Sequence, residues 1–329
     1  MGERARAAPS ETSGEPGFIA LEGGDARVEV VPRHGGRIRS LHLFGREWLV
    51  QSPIGAGPTA GESPLAGAGW DECAPAAGGG TVPEWVKGIG GRPIPVGGEA
   101  RLQSPEVALH TDAEGHRLIC RWRGERLPWV LTRTLLVRPD GVVEARYEAL
   151  TNGPHRLPFL WSANLLMPLR ANTRLRLPEA GRFRIARVKG AKAVGGVTEG
   201  DGKWPRLMLD GRSRDLSTPW SLPKKTTLTG WLDLAGTRSM IQVVQDEARL
   251  SISCDGAGIP HCGVVIARGG SDANARRVPF GRREPPVLAV RPSLGAPDRY
   301  TEALGDWQSI TWLVPGEPRR WTLTIRAGN

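Results

Sequence analysis

One apolar run of the chain, Arg156-Leu-Pro-Phe-Leu-Trp-Ser-Ala-Asn164-Leu-Leu-Met-Pro168, carries a tryptophan and a single side-chain amide near its centre. Apolar residues flank Asn164 on both sides. Burying an amide without hydrogen bonds among apolar residues is unfavourable. Asn164 is therefore expected either to be hydrogen-bonded in the core or to face a ligand. Trp161 has the same two explanations: a core residue of a buried strand, or an aromatic surface for a ligand.

The rest of the chain consists of short segments with strand character. Its 44 glycines and 28 prolines interrupt it often, and no long stretch has the apolar spacing of a helix. The runs typical of strands are Ala26–Val31, Arg37–Phe44, Arg117–Trp122, Trp129–Val137, Val142–Leu150, Thr173–Leu177, Thr226–Leu232, Ser239–Val244, Arg249–Ser253, Gly263–Ala267, Val287–Val290, Ser309–Leu313 and Trp321–Arg326. Pro139-Asp-Gly141 adds a hairpin signal. The pattern predicts an all-β protein, a large antiparallel β-sandwich.

Length and cysteine content indicate one large domain in a reducing compartment. We expect residues 1–16 to be a disordered N-terminal lead-in, because they are polar and turn-prone, and residues 17–329 to be a single domain. The four cysteines are far apart and form no Cys-x-x-Cys pair, which favours free thiols. No apolar run is long enough to span a membrane, and a cytoplasmic location is predicted.

The chain is strongly basic, with a formal net charge of +10 and a pI of about 10.2. Such a balance is compatible with nucleic-acid binding. However, most arginines stand singly in strand-like segments, and the densest clusters, Arg276-Arg277 and Arg282-Arg283, are short. The positive charge is equally compatible with an anionic small-molecule ligand. Binding of a specific nucleic acid is therefore not predicted.

The segment Gly55–Gly98 is rich in glycine and alanine and is predicted as a long loop. A loop of this length in a compact domain is usually functional or disordered, and the embedded Trp70-Asp71-Glu72 favours function. Elsewhere the chain has no phosphate loop, and its six histidines are dispersed. Neither a metal nor a cofactor is therefore expected.

Several short motifs occur in a recognisable order: Gly35-Gly-Arg-Ile-Arg-Ser-Leu41, Trp70-Asp-Glu-Cys73, Pro158-Phe-Leu-Trp161, Ala289-Val-Arg-Pro292, Gly295-Ala-Pro-Asp298 and Val314-Pro-Gly-Glu317. In order and spacing they resemble the aldose 1-epimerase (galactose mutarotase-like) superfamily over almost the whole chain after about residue 17. The resemblance is to a divergent member. It implies a β-supersandwich whose concave face holds a monosaccharide.

The residues expected to perform that family's chemistry are replaced. Its members open a pyranose ring by general acid–base catalysis, with a carboxylate as base and a histidine as acid. Here Asn164 resembles the histidine position and Arg291 the carboxylate position, while Val96-Gly-Gly-Glu99 resembles a His-Gly-Glu turn. An amide is no proton-donating acid, and arginine stays protonated. The resemblance therefore implies a sugar-type cleft without the usual acid–base pair.

The residues that remain predict a different site. Asp71 and Glu72 are adjacent carboxylates, and either is a candidate catalytic base if burial or its neighbour raises its pKa. Arg291 offers a rigid fork to a carboxylate, sulfate or phosphate. The further expected ligand contacts are Trp70, Glu99, Trp161, Asn164, His261 and Arg268.

Each candidate also has a structural alternative. Asp71 could cap a turn, and Glu72 could pair with one of the many arginines. Arg291 could neutralise Glu99 or Glu72, and Trp161 could be simple core.

Three functions fit these residues. The first is an altered isomerase or lyase that acts on an anionic sugar or cyclic compound. The second is a non-catalytic protein that binds or senses a carbohydrate. The third is an ordinary aldose 1-epimerase. In all three the partner is a small molecule, not a membrane.

Overall fold

The computed structural model describes residues 7–9, 17–51, 57–58, 67–112, 114–178, 182–189, 200–209, 211–234, 239–254, 258–269 and 285–329. Of the predicted lead-in 1–16, only Ala7–Pro9 lies among them, as a short strand. The clusters Arg276-Arg277 and Arg282-Arg283 lie outside the described residues.

Strands make up most of the described residues. In chain order, β1 to β26 span Ala7–Pro9, Ile19–Gly23, Ala26–Val31, Arg37–Leu43, Arg46–Glu47, Trp70–Cys73, Gly80–Thr81, Pro93–Ile94, Glu106–Asp112, Gly115–Arg123, Trp129–Val137, Val143–Thr151, Leu157–Phe159, Ser162–Pro168, Arg174–Arg176, Arg182–Lys189, Gly200–Lys203, Arg206–Leu209, Arg212–Asp215, Thr227–Asp233, Ser239–Gln245, Ala248–Cys254, His261–Ala267, Val287–Ser293, Thr311–Leu313 and Arg319–Gly328. One short helix, α1, spans Tyr300–Leu304, and 3₁₀ turns span Pro32–His34, Ala100–Leu102 and Pro219–Ser221.

Two antiparallel sheets form the sandwich. The large sheet has 14 strands in the order β1-β2-β3-β4-β6-β14-β24-β23-β20-β16-β17-β18-β19, with β5 added to β4. The small sheet has eight strands in the order β15-β21-β22-β26-β12-β11-β10-β9. The smaller pairs β13-β25 and β7-β8 lie outside these two sheets. The predicted large antiparallel β-sandwich is confirmed.

The hairpin β11–β12 shows how local sequence produces this fold. β12 alternates buried and less buried residues along its length, and β11 does so in its middle, as expected for strands with one face in a core. The Asp-Gly turn joins them: Gly141 has a φ of 77° and donates its N–H to the carbonyl of Arg138 at 3.0 Å. Glycine reaches this left-handed conformation without the strain that a Cβ atom would cause.

The prediction that Trp70–Cys73 belongs to a loop is wrong. These residues form β6 in the middle of the large sheet, where Trp70 pairs with Leu165 and Asp71 with Asn164 of β14. All four β6 residues are buried, so the strand lacks the alternation that reveals a half-exposed strand. Its partner lies some 90 residues away along the chain, and composition alone does not reveal such a pairing.

A buried ion pair joins the two sheets. Glu72 of β6 accepts hydrogen bonds from Arg133 Nη1 at 2.9 Å, Tyr147 Oη at 2.9 Å and Trp161 Nε1 at 2.8 Å. Arg133 and Tyr147 belong to the small sheet, so the carboxylate bridges the layers. Burial raises the pKa of Glu72, and the Arg133 guanidinium and the three hydrogen bonds act in the opposite direction. The interior thus holds a charge whose lone pairs are satisfied by donors.

Removing the cation of this pair is expected to destabilise the sandwich. Arg133→Met should lower the free energy of unfolding by about 3–5 kcal/mol, because it leaves Glu72 buried without a counter-charge. The deficit should shrink as the pH falls from about 8 to about 5, since a raised pKa lets the folded variant take up a proton before the unfolded chain does. Denaturant unfolding at several pH values measures both effects.

The matched control is Arg121→Met, at an exposed position of β10 in the same sheet. It should leave stability nearly unchanged. Equal stability of the two variants would contradict a structural role for the pair.

Candidate functional site

A row of side chains crosses the outer face of the large sheet, the face turned away from the small sheet. Successive strand residues point to opposite faces, so Glu72 facing inward places Asp71 outward. Asp71 pairs with Asn164, and the β14–β24 register puts Asn164 opposite Arg291. Arg291 pairs with Gly263, which pairs with Trp231. We call these five residues the central row.

Two arginines hold the Asp71 carboxylate. Arg37 donates from Nε at 2.7 Å and from Nη2 at 3.0 Å, and Arg101 donates from Nε at 2.9 Å. All three side chains are almost completely buried. The carboxylate is therefore compensated by more than one positive charge, and its oxygen atoms are committed to these contacts.

Arg291 is paired within the protein as well. Its Nη1 lies 2.9 Å from one oxygen of Asp298 and its Nη2 lies 2.5 Å from the other. The same Nη2 reaches Ser162 Oγ at 3.4 Å, and the guanidinium lies 5.2 Å from the centre of the Trp231 ring. The counter-ion is Asp298, not Glu99 or Glu72. The Arg291 guanidinium, predicted from the sequence to bind an anion, is thus occupied by Asp298 in the turn after β24.

Trp231 lies on a glycine. A Cβ atom at Gly263 would come within 2.9 Å of two carbon atoms of the indole ring, so only glycine lets the ring rest on the sheet. The Trp231 Nε1 atom is buried and has no acceptor among the described residues. Buried donors normally have a partner, so this N–H is a notable feature of the outer face.

An open pocket with a volume of about 390 Å³ lies at the Trp231 end of the central row. Its chemistry-bearing lining residues are Arg182, Arg184, Trp231, Asp233, His261 and Trp307. The Arg184 guanidinium stacks on Trp307, with Cζ 4.1 Å from the ring centre. We call this cavity the outer-face pocket.

His261 and Asp233 face each other in the outer-face pocket, as partners in the β20–β23 register. His261 Nε2 lies 2.6 Å from Ser309 Oγ. Burial lowers the pKa of His261, and the charge of Asp233 acts in the opposite direction. A lowered pKa keeps the imidazole neutral at pH 7.

Four of the predicted site residues share the outer face. Asp71, Asn164 and Arg291 belong to the central row, and His261 lines the adjacent pocket. The amide of β14 and the guanidinium of β24 thus lie side by side.

Three other predicted site residues, Glu72, Trp70 and Trp161, face the core between the sheets. Trp70 is fully buried there, and Trp161 donates to Glu72 and contacts Tyr147 and Trp321. This location gives all three predicted residues a role in packing or in the inter-sheet ion pair.

Glu99 and Arg268 lie at other places. Glu99 accepts the backbone N–H of Arg126 and the indole N–H of Trp129, both at 2.9 Å, which ties its loop to the small sheet. Arg268 stacks on Trp220 at 3.6 Å, just beyond the end of β23. Five residues of strand separate Arg268 from Gly263, a distance of about 17 Å.

Sequence reasoning missed most of the pocket. Arg182, Arg184, Trp231, Asp233 and Trp307 were not candidates. A signal did exist in Arg182-Phe-Arg-Ile185, where arginines alternate with apolar residues as in a half-buried strand. The same alternation in β20 puts Trp231 and Asp233 on one face.

Two features are absent from the part of the chain that the structure describes: a cluster of metal-ligating side chains and a helix of membrane length. No group of three or more His, Cys, Asp or Glu side chains is arranged to hold a metal ion there. Likewise, no described helix is sufficiently long and apolar to cross a bilayer.

Several solved structures with the same fold are described as aldose 1-epimerase or galactose mutarotase-like proteins. A candidate aldose 1-epimerase from Escherichia coli is 15% identical, with a TM-score of 0.61 over 94% of this chain and 98% of its own. A galactose mutarotase-like protein from Lactobacillus casei has 13% identity and a TM-score of 0.62 over 95% and 100%. One from Clostridium acetobutylicum has 8% identity and a TM-score of 0.66 over 99% of both chains. No protein-family model and no curated protein matches the chain.

The protein therefore has the galactose mutarotase-like β-sandwich fold. At these identities the similarity defines the architecture, and function is argued from the site itself.

The contact between Trp231 and Gly263 generates a prediction about stability. Gly263→Ala should lower the free energy of unfolding by about 1–3 kcal/mol, because the new methyl group collides with the indole ring in a packed layer. Urea unfolding measures the change. Gly328→Ala is the control, since a Cβ atom there meets nothing within 4 Å. Equal values for the two variants would show that the indole ring moves aside freely.

Proposed function

We propose that the protein binds a saccharide carrying a negatively charged group in the outer-face pocket, and that it lacks the acid–base chemistry of the family it resembles. The observation that carries this proposal is the pocket itself, where Arg184 stacks on Trp307 beside Arg182 and Trp231.

The lining of the pocket suits a sugar. Trp307 is half-exposed and offers an aromatic surface at the mouth, as expected for a site that receives the apolar face of a ring. Asp233, His261 and Ser309 supply polar atoms for hydroxyl groups. At about 390 Å³, the pocket lies at the small end of the range of ligand sites.

The charge of the pocket favours an anionic ligand. Arg182 and Arg184 line it together with a single carboxylate, Asp233. A guanidinium presents a planar fork of donors that matches a carboxylate, sulfate or phosphate. Because Arg184 is already oriented by Trp307, less side-chain entropy is lost when an anion binds.

The central row supports binding better than catalysis. Asp71 and Arg291 both form ion pairs within the protein. Asn164, which lies between them, cannot protonate a ring oxygen. General acid–base catalysis needs a titratable group that reaches the substrate. Of the adjacent carboxylates, Glu72 faces the core and Asp71 is held by two arginines.

Ligand stabilisation tests the proposal. Galacturonate at about 100 times its Kd should stabilise the protein by about 2.7 kcal/mol, seen as a rise in Tm, and galactose should have a much smaller effect. Arg184→Ala should weaken galacturonate binding by about 10- to 150-fold, since a charge-assisted hydrogen bond contributes about 1.5–3 kcal/mol. Arg121→Ala, on the small sheet, is the matched control. Equal stabilisation by galactose and galacturonate would refute the anionic ligand.

A second candidate function is isomerisation at the same pocket. The observation favouring it is the pair of Asp233 and His261, a carboxylate and an imidazole opposite each other in register. These are the two group types that acid–base opening of a pyranose requires.

Polarimetry separates the two functions. If the pair is catalytic, Asp233→Asn and His261→Gln should each slow mutarotation by about 10²–10⁴-fold. The rate should also change with pH below about 6.5, because burial lowers the pKa of His261 and the neutral ring persists down to that range. Galactose, glucose and their uronic acids are the substrates to assay. Rates no faster than the spontaneous reaction would leave binding as the function.

The cysteines support the proposed cytoplasmic location. Cys73, Cys120, Cys254 and Cys262 are all buried free thiols. Burial raises the pKa of Cys73 and of Cys262 to about 12, which makes them poor nucleophiles. Unpaired thiols throughout a chain of this size are typical of a reducing compartment.

A further inference from the structure

The positive charge of the chain is concentrated in one segment. Residues 182–225 contain eleven Lys and Arg against four Asp and Glu, a formal charge of +7 out of +10 for the whole chain. In the fold, strands β16 to β19 of this segment form one end of the large sheet, next to β20. The cations that these described strands carry therefore lie on the side of the outer-face pocket.

A β-bulge in β16 sets which way these charges point. Arg184 pairs with Trp231 and Ile185 with Gly230, but the next pair is Arg187 with Thr229, so Ala186 is the extra residue. If the same residues paired without a bulge, strict alternation would give Arg187 the inward orientation of Ile185. With the bulge, the Arg187 side chain joins Arg184 on the outer face. Re-aiming side chains in this way is a recognised effect of bulges.

The result is a continuous line of cations. Arg182, Arg184, Arg187 and Lys189 all lie on the outer face of β16, and we call them the basic row. Three of the four are exposed, and Arg184 is partly exposed. Six strand positions separate the two ends, a length of about 20 Å. Since Arg182 and Arg184 line the outer-face pocket, the row starts there and runs beyond it.

We propose that the ligand is an acidic polysaccharide, of which one unit occupies the outer-face pocket while the following units lie along the basic row. This inference rests on the proposed function. The pocket accounts for Arg182 and Arg184 only, whereas Arg187 and Lys189 extend the positive surface by about 13 Å past it. Cations repeated along a strand suit a chain with repeated negative charges.

The neighbouring strand favours a glycan over a nucleic acid. Beside Arg187 and Lys189, β20 presents Thr229 and Thr227. Hydroxyl groups there can bond to sugar hydroxyls. Single-stranded nucleic acids are instead held by aromatic side chains that alternate with the cations, and these positions of β20 carry none.

The test is a length series of galacturonate, from the monomer to the trimer and hexamer, studied by calorimetry at several salt concentrations. The hexamer should bind about 100-fold tighter than the monomer, through the added contacts. Arg187→Ala combined with Lys189→Ala should weaken hexamer binding at least tenfold, leave monomer binding unchanged, and reduce the slope of log K against log salt by about 2. The control removes the same charge from the small sheet with Arg121→Ala and Arg146→Ala.

The outcomes separate the two proposals. If the monomer binds and the hexamer binds no tighter, the basic row takes no part and this inference fails while the proposed function stands. If neither binds, the proposed function fails with it. If single-stranded DNA binds more tightly than the hexamer and loses affinity in the same double variant, the basic row is a nucleic-acid surface and the glycan is refuted.

Discussion

The contact between Glu72 and Arg133 fixes the arrangement on which the rest of the molecule depends. It places a buried charge between the sheets, and the donors of Tyr147 and Trp161 complete its shell. Because neighbouring residues of a strand face opposite sides, the inward Glu72 forces Asp71 outward, where two arginines meet it. One short strand thus sets the electrostatics of both of its faces.

The same alternation separates structural from functional charge. In the central row each ionised group has a partner within the protein: Asp71 has its arginines, and Arg291 has Asp298. A buried network in which every charge has a partner makes this face of the sheet rigid. Farther along the sheet, beyond Trp231, cations outnumber carboxylates, and there the pocket opens. The proposed ligand site accordingly lies away from the centre of the sheet, toward β16 and β20.

The sequence predicted the parts of the fold that local patterns control. Trp129–Val137 and Ala26–Val31 are strands with the predicted bounds, and the sandwich class followed from many such runs. Strand β6 was missed, since a four-residue strand buried on both faces has no alternation. The candidate site was harder, because the face of a side chain depends on register, and a shift of one residue reverses it. Hence Trp70 and Trp161, which were predicted to contact the ligand, belong to the core.

The extra residue in β16 has a consequence for the spacing of charges along the sequence. Strict alternation from Arg182 and Arg184 would turn Arg187 and Lys189 toward the apolar layer. The bulge at Ala186 shifts the alternation by one residue, so both cations follow Arg184 on the outer face. The three-residue step from Arg184 to Arg187 is therefore the trace that the bulge leaves in the sequence, and a strand without Ala186 would show the same cations at an unbroken period of two.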